Sequence, residues 1–416
     1  VVGRGKLLTQ SPFPESPGEL EFTSKLLDQF PKPPGLPDME VPTQLPDFCF
    51  PNGVKLSETP SPPRFFHFVL TDFSGTALYV TCITFYDRMD TIDVVNLFRG
   101  ENKGSGKNQF PTWVNLQDMD SNPTLYSPKS VCILSHWAFF NVFKKFLAQL
   151  YRIYKNETPI PLERYVMNFM FDVPLPPCGD TRVQYTLADE TVFISRPEPN
   201  ELPLLDISMK PLFECLSLEN IVTIVGDLLC ERSIVLCSKR LSLLTIAGEA
   251  LRALIFPFSW QAIYVPVLPR SKKTIEFLNS PVPFFMGMCF DLEVEHELVS
   301  EVENVVFVDI DRDRIYDADD GYFPRLPELH RKSLMAKLKK VVGPIYRPDA
   351  SFNELRDCLF YDQAKTISEN KRLVEKGKPL DREHFALLGG HKILNSRLNR
   401  TDRSKRRTMS IDEQSG

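Results

Sequence analysis

The sequence predicts an α/β protein. An N-terminal α+β lobe precedes a C-terminal α/β lobe with a mostly parallel sheet, and a partial helical region follows downstream. Three observations predict this. Residues 65–71 and 77–86 are β-branched and aromatic runs flanking a short turn with Gly75, which is a hairpin signature. Residues 139–154 place Phe139, Phe140, Phe143, Phe146, Leu147, Leu150, Tyr151 and Tyr154 at helical spacing. Over residues 204–345, short apolar runs alternate with helical patterns, as βαβ units require.

In chain order, residues 1–45 read as a flexible, proline-rich arm. Thirteen of the 35 prolines fall in residues 1–63, and the segment shows little periodicity. A short amphipathic piece over residues 19–30 reads as a docking helix. Residues 46–156 form the first lobe: the hairpin, a glycine-containing loop over 99–108, a short strand at 131–134 and the helix at 139–154. Residues 157–203 read as a connector, with a helix start near 161–166 and a β-like stretch at 191–195.

Residues 204–345 form the second lobe. Its expected helices cover 212–229, 241–254 and 274–278. Its expected strands are 233–238, 260–268 and 304–310, and the first of these is a continuous apolar run typical of a buried parallel strand. Residues 327–345 read as a basic helix, 346–399 as a partial helical region and 400–416 as a disordered basic tail.

Composition narrows the function. The 416-residue chain is 43% hydrophobic and 25% charged, an ordinary globular balance. A net charge of −5 argues against a nucleic-acid binder acting through overall charge. No apolar run reaches the roughly 18 residues of a membrane-spanning helix, and residues 1–30 lack the pattern of a secretory signal. The first residue, Val1, marks the sequence as a fragment or a processed chain. The nine cysteines are scattered, with no C-x-x-C pair and no histidine at metal-ligand spacing. That spacing implies reduced, mostly buried thiols in a cytosolic protein, without zinc or a disulfide framework.

Catalytic signatures are missing. H-E-x-x-H, G-x-S-x-G and a strand-linked G-x-G-x-x-G are not found. The stretch from Gly100 to Asn108 has the wrong glycine spacing for a phosphate loop, and its Lys107 is not followed by Ser or Thr. Asp309, Asp311 and Asp313 alternate at a strand end as a metal site would, but Arg312 and Arg314 interleave with them, so ion pairing is the simpler reading. The six histidines share no metal spacing, and His67 and His136 read as core or rim packing. Near the end, Arg403-Ser-Lys-Arg-Arg-Thr-Met-Ser410 is a basic run. It fits acidic lipid headgroups, a nuclear signal or a basophilic kinase, with Ser410 the phosphorylation candidate.

Several segments, in order, resemble the DENN module. They begin with Phe48-Cys49-Phe50-Pro51-Asn52-Gly53 and the hairpin carrying Asp72, Gly75, Tyr79 and Cys82. Tyr126-Ser127-Pro128-Lys129-Ser130-Val131-Cys132 follows. The central matches include Leu228-Leu229-Cys230-Glu231-Arg232-Ser233, Ile255-Phe256-Pro257-Phe258-Ser259-Trp260, Pro281-Val282-Pro283-Phe284-Phe285-Met286-Gly287 and Val306-Phe307-Val308-Asp309. The resemblance covers residues 48–315 and weakens beyond about residue 350. It implies a longin-like first lobe and guanine-nucleotide exchange on a Rab-type small GTPase in membrane traffic, without cofactor, metal or covalent chemistry. It also implies a cytoplasmic protein recruited peripherally to membranes.

Partners of open α/β sheets gather at the carboxyl ends of the strands. The GTPase-binding candidates there are Lys239, Arg240, Arg270, Asp309, Asp311 and Arg312. Lys144 and Lys145, on the polar face of the first-lobe helix, form a second candidate surface. Two alternatives stand beside exchange. One is a GTPase-activating role needing an arginine at the phosphates, for which Arg152 is the nearest candidate. The other is a scaffold of the same fold that binds a GTPase without acting on it.

Overall fold

In the computed structural model, the described residues are 1–8, 16–31, 41–71, 75–99, 111, 113–115, 123–156, 158–188, 190–270, 274–294, 301–317, 324–342 and 345–347. The expectations for the loop over 100–108, for 348–399 and for the tail 400–416 with Ser410 lie outside them. Residues 1–357 make one compact unit.

Its N-terminal half is a six-stranded sheet of β1 (Val2–Leu7), β2 (Glu21–Leu26), β3 (Val54–Lys55), β4 (Arg64–Thr71), β5 (Ala77–Arg88) and β6 (Tyr126–Ser135). The order is β3-β2-β1-β6-β5-β4, with every neighbour antiparallel. The predicted hairpin is β4–β5. Its strands read as nearly continuous apolar runs because both faces are covered. Phe66, Phe68 and Leu70 join the cluster that includes α1 (Leu45–Cys49) and α2 (Thr91–Arg99). Val69 packs on the opposite side with Phe140 of α3 (Phe140–Lys155).

The arm expectation is corrected for residues 2–7 and 21–26. They are sheet strands, and the piece expected as a docking helix is β2. The period-2 pattern of β2, with Phe22 buried between exposed residues, is short and easily missed. In β1, Gly3 and Gly5 disguise the strand. The second is required, since a Cβ on Gly5 would fall 2.9 Å from the Thr23 carbonyl across the pair.

Helix α3 has no capping side chain of its own at Phe139. Asp206, far along the chain, supplies it: its Oδ2 accepts from the backbone N–H groups of Asn141 and Val142, each at 3.0 Å. The expected connector is also more ordered than its prolines suggest. It holds α4 (Leu162–Met167), a π-helical turn (Asn168–Asp172) and a hairpin of β7 (Gly179–Leu187) and β8 (Glu190–Arg196). This unit covers α3, with Phe169 stacked on Phe146 at 4.2 Å and Val192 and Ile194 against Val142 and Phe143.

The C-terminal half contains α5 (Lys210–Cys215), α6 (Leu218–Leu229), β9 (Ser233–Cys237), α7 (Leu241–Leu254), β10 (Ile263–Leu268), α8 (Thr274–Leu278), β11 (Phe284–Met288), β12 (Val305–Asp309), β13 (Arg314–Asp317) and α9 (Glu328–Val342). The sheet order is β10-β11-β9-β12-β13. The first four strands are parallel, and β13 is an antiparallel edge. The helix expected over 212–229 is two helices. Ser217 leaves the helical path, and its hydroxyl caps α6 by accepting from the N–H of Asn220.

Two strands of this half escaped the sequence reading. β11 follows Pro281 and Pro283 and was assigned no element in the sequence, yet all five of its residues are buried. Its Gly287 is obligatory, because a Cβ there would lie 2.1 Å from the Pro266 carbonyl. β13 is short and half-exposed, with an apolar content too low to stand out.

The two halves share one core. A continuous buried cluster runs from Val2 in β1 to Ile310 after β12. Helix α7 and strand β10 pack on the edge strand β4, and the Thr245 hydroxyl donates to the His67 carbonyl. Each fully buried Phe or Leu here contributes roughly 1.5–3 kcal/mol.

Candidate functional site

The carboxyl ends of the parallel strands meet at one place. The loop after β12 turns back through Asp309, whose Oδ1 accepts from the N–H groups of Asp311 (3.0 Å) and Arg312 (3.1 Å). Asp311 reaches the loop after β9, accepting from the Ser238 hydroxyl at 2.8 Å and the Lys239 N–H at 2.8 Å. The loop after β11 brings Asp291, which holds Lys239 Nζ at 2.7 Å and the Arg312 guanidinium at 2.8 and 3.2 Å. Arg312 also binds Asp309 at 3.1 Å and Glu293 at 3.2 Å.

Onto this cluster folds a turn from the N-terminal half. The Pro51 carbonyl accepts from the Arg270 N–H at 2.8 Å, and Asn52 Nδ2 lies 3.5 Å from the Cys289 sulfur. Cys289 is in turn 3.5 Å from the Lys239 carbonyl. The 50–53 turn and the loops after β9, β10, β11 and β12 therefore form one surface.

Electrostatics divides these residues into a buried frame and an exposed rim. Asp309, Asp311 and Arg240 are 2%, 4% and 6% exposed. Burial pushes the Asp311 carboxyl up despite its two hydrogen bonds. The Arg312 hydrogen bonds, joined by Lys239, hold Asp291 well below the usual carboxylate range. Asp291 in turn raises Lys239 and Arg312. Lys239 and Arg270 are the cations at the rim, with 42% of the Lys239 side chain exposed. Asp311→Ala is expected to cost about 1–3 kcal/mol, because it leaves the Ser238 hydroxyl and the Lys239 N–H without their acceptor. Urea unfolding checks it, and an unchanged midpoint would remove Asp311 from the frame.

The structure thus brings together six of the eight predicted residues: Lys239, Arg240, Arg270, Asp309, Asp311 and Arg312. Lys144 and Lys145 have other partners on α3: Lys144 Nζ sits 5.6 Å above the Phe65 ring, and Lys145 pairs with Glu190 at 2.9 Å. Arg152 is exposed in the last turn of the same helix. Asp313 does not join Asp309 and Asp311. It sits in left-handed backbone (φ 54°) and accepts from Ser217, Asn220 and Tyr346. The three carboxylates thus face different partners, and ion pairing and hydrogen bonding account for them.

Asp291 and the 50–53 turn were missed. Recognising β11 as a strand would have placed Asp291 at its carboxyl end. A groove of about 150 Å³ between α6 and residues 324–331 falls short of the roughly 300–1,000 Å³ of small-molecule sites.

Comparison with known proteins gives the surface its context. The uDENN domain family matches residues 24–85, and the DENN (AEX-3) domain family matches residues 126–313. The chain belongs to the DENN-domain family. Both halves of the candidate surface lie in these DENN matches: the 50–53 turn in the first, the loops after β9, β10, β11 and β12 in the second. The chain is also similar to the DENN domain and WD repeat-containing protein SCD1 of Arabidopsis thaliana, 30% identical over 332 residues. That alignment takes in 78% of this DENN chain and 26% of the plant protein. No helix among the described residues is long and apolar enough to cross a membrane.

Proposed function

We propose that this protein promotes GDP release from a Rab-type small GTPase. The carrying observation is the joint surface on which the 50–53 turn meets the strand-end loops, with Lys239 and Arg270 at its rim. In this reading the six-stranded half is the longin-like lobe. The GTPase switch regions lie across the joint surface, and no bond of the substrate is made or broken.

An exchange factor of this kind binds the nucleotide-free GTPase more tightly than the loaded one, and by linkage lowers nucleotide affinity by the same factor. A ~10⁴-fold acceleration corresponds to about 5.5 kcal/mol of differential stabilisation along the release path. Holding a switch segment open and disturbing its magnesium and phosphate contacts is the means by which such a surface supplies it. The buried Asp309–Asp311–Arg240 frame, tied to Arg312, keeps the gripping loops rigid, so ordering them costs little on association. Peripheral recruitment to acidic membranes through the basic tail belongs to the same reading.

The test is a panel of GDP-loaded Rabs with a fluorescent nucleotide, followed by stopped flow under excess GTP. At least one member is expected to release GDP faster. Lys239→Ala/Arg270→Ala is expected to slow that reaction about tenfold and flatten its salt dependence, since both cations stand at the rim. Binding without faster release would favour the scaffold. Faster hydrolysis at unchanged release would favour the activating role, and Arg152→Ala would then be decisive.

A further inference from the structure

Three cysteines that the sequence scatters converge in the N-terminal half. Cys49 ends α1, Cys82 lies in β5 and Cys132 in β6. Cys82 and Cys132 are directly opposed across the β5–β6 ladder, and Cys49 Sγ lies 3.9 Å from Cys82 Sγ although 33 residues separate them. All three sulfurs fall within 4.8 Å of one another. Among the described residues, no other group of three or more His, Cys, Asp or Glu side chains has metal-holding geometry.

The dimensions are those of a thiolate site. With metal–sulfur bonds of about 2.3 Å, ligands in tetrahedral directions stand about 3.8 Å apart. The fourth direction has a polar neighbour. Ser130, fully buried, is opposite Thr84, two ladder positions from the Cys82–Cys132 pair and so on the same face of the sheet, and the two hydroxyls lie 3.4 Å apart. The Ser130 hydroxyl is also an electrostatic neighbour of the Cys49 thiol. Around this group the core is apolar, with Phe68 and Val80 wholly buried in the same cluster.

We infer that Cys49, Cys82 and Cys132 form a binding site for a thiophilic divalent cation of the zinc class, with the Ser130 hydroxyl on its fourth side. Each thiol gives up its proton to solvent as the ion enters, so uptake falls as pH falls. Charge selects the ion. Three thiolates around a divalent cation leave one net negative charge in the core, whereas a monovalent copper ion would leave two, at a much greater cost of burial. The site would also brace the candidate surface. Cys49 directly precedes the 50–53 turn, so the ion would pin that turn to β5 and β6 where it meets Arg270 and Cys289. This binding inference does not depend on exchange activity.

The test uses the full chain, reduced, stripped with a strong chelator and dialysed against Zn²⁺ with a weak competing chelator. One equivalent of zinc per chain is expected to remain. Co²⁺ in its place is expected to give thiolate-to-cobalt charge-transfer absorption with tetrahedral visible bands. Cys132→Ser, at the most accessible of the three positions, is expected to lose both signals while keeping the circular dichroism of the metal-free parent. Cys178→Ser and Cys358→Ser are expected to keep both signals. Failure of the unaltered chain to retain zinc overturns the inference without any variant. So does retention of monovalent copper alone, a Cys49–Cys82 disulfide in protein prepared with the metal present, or a cobalt spectrum that survives Cys132→Ser.

Discussion

Arg232→Met is expected to destabilise the protein by about 3–5 kcal/mol. The guanidinium is buried at the start of β9. It donates to both oxygens of Asp317 in β13, each at 2.7 Å, and to Asp227 in α6 at 3.0 Å. Only 3% of the Arg232 side chain and 8% of each carboxylate partner are exposed. The Asp317 hydrogen bonds hold the Arg232 pKa above its ordinary value, while burial pushes Asp227 up. Removing the cation leaves two like charges facing each other out of water, and the edge strand β13 loses its tie to α6. The triple change Arg232→Met/Asp227→Leu/Asp317→Leu is expected to recover most of the loss, since no charge then remains to be desolvated. Urea unfolding of both variants is the measurement. A single-variant cost under about 1 kcal/mol would mean that water reaches the triad.

The second large effect is a pH dependence centred on His67. The ring lies between the sheet and α3, with Nδ1 3.0 Å from the Thr81 hydroxyl and its plane against Phe140, the centroids 4.9 Å apart. Burial, with the Lys144 charge adding, lowers its pKa from 6.5 to about 3. The folded protein therefore keeps His67 neutral while the unfolded chain protonates it near pH 6.5. The stabilisation is complete above that pH and is lost as pH falls toward 3. Linkage gives a loss of about 2 kcal/mol between pH 7 and pH 5, a window above most carboxylate titrations. His67→Gln is expected to abolish that slope while keeping a partner for Thr81. Denaturant unfolding at the two pH values decides it, and equal slopes in both proteins would mean that His67 protonates in place.

Legibility in the sequence followed how local each signal is. Helix α7 was read at residues 241–254, where it lies, and β9 at 233–238, because periodicity and continuous apolarity are properties of a few neighbouring residues. The arm, β11 and β13 were misread because their strand character comes from pairing. Gly5 and Gly287 are poor strand formers alone, yet the only residues that fit where another backbone lies so close. The candidate surface was half legible. The rule that partners gather at strand carboxyl ends found Lys239, Arg240, Arg270 and Asp309, but it could not separate the buried frame from the exposed rim. It also could not supply Asp291 or the Pro51 turn, which arrive from elements the reading had not connected.

By itself the sequence determined α7, β9, β10 and β12 in the C-terminal half, the β4–β5 hairpin and family membership. Those rest on local patterning and on motifs contiguous in the chain. Only the tertiary structure decided that residues 2–7 complete the first sheet, that Asp206 caps a helix beginning at Phe140, and that Cys49, Cys82 and Cys132 stand within 4.8 Å. Each of these joins segments whose closing loops cost entropy recovered only by burial of the shared core. A contact of that kind leaves no mark in the spacing of the residues that make it.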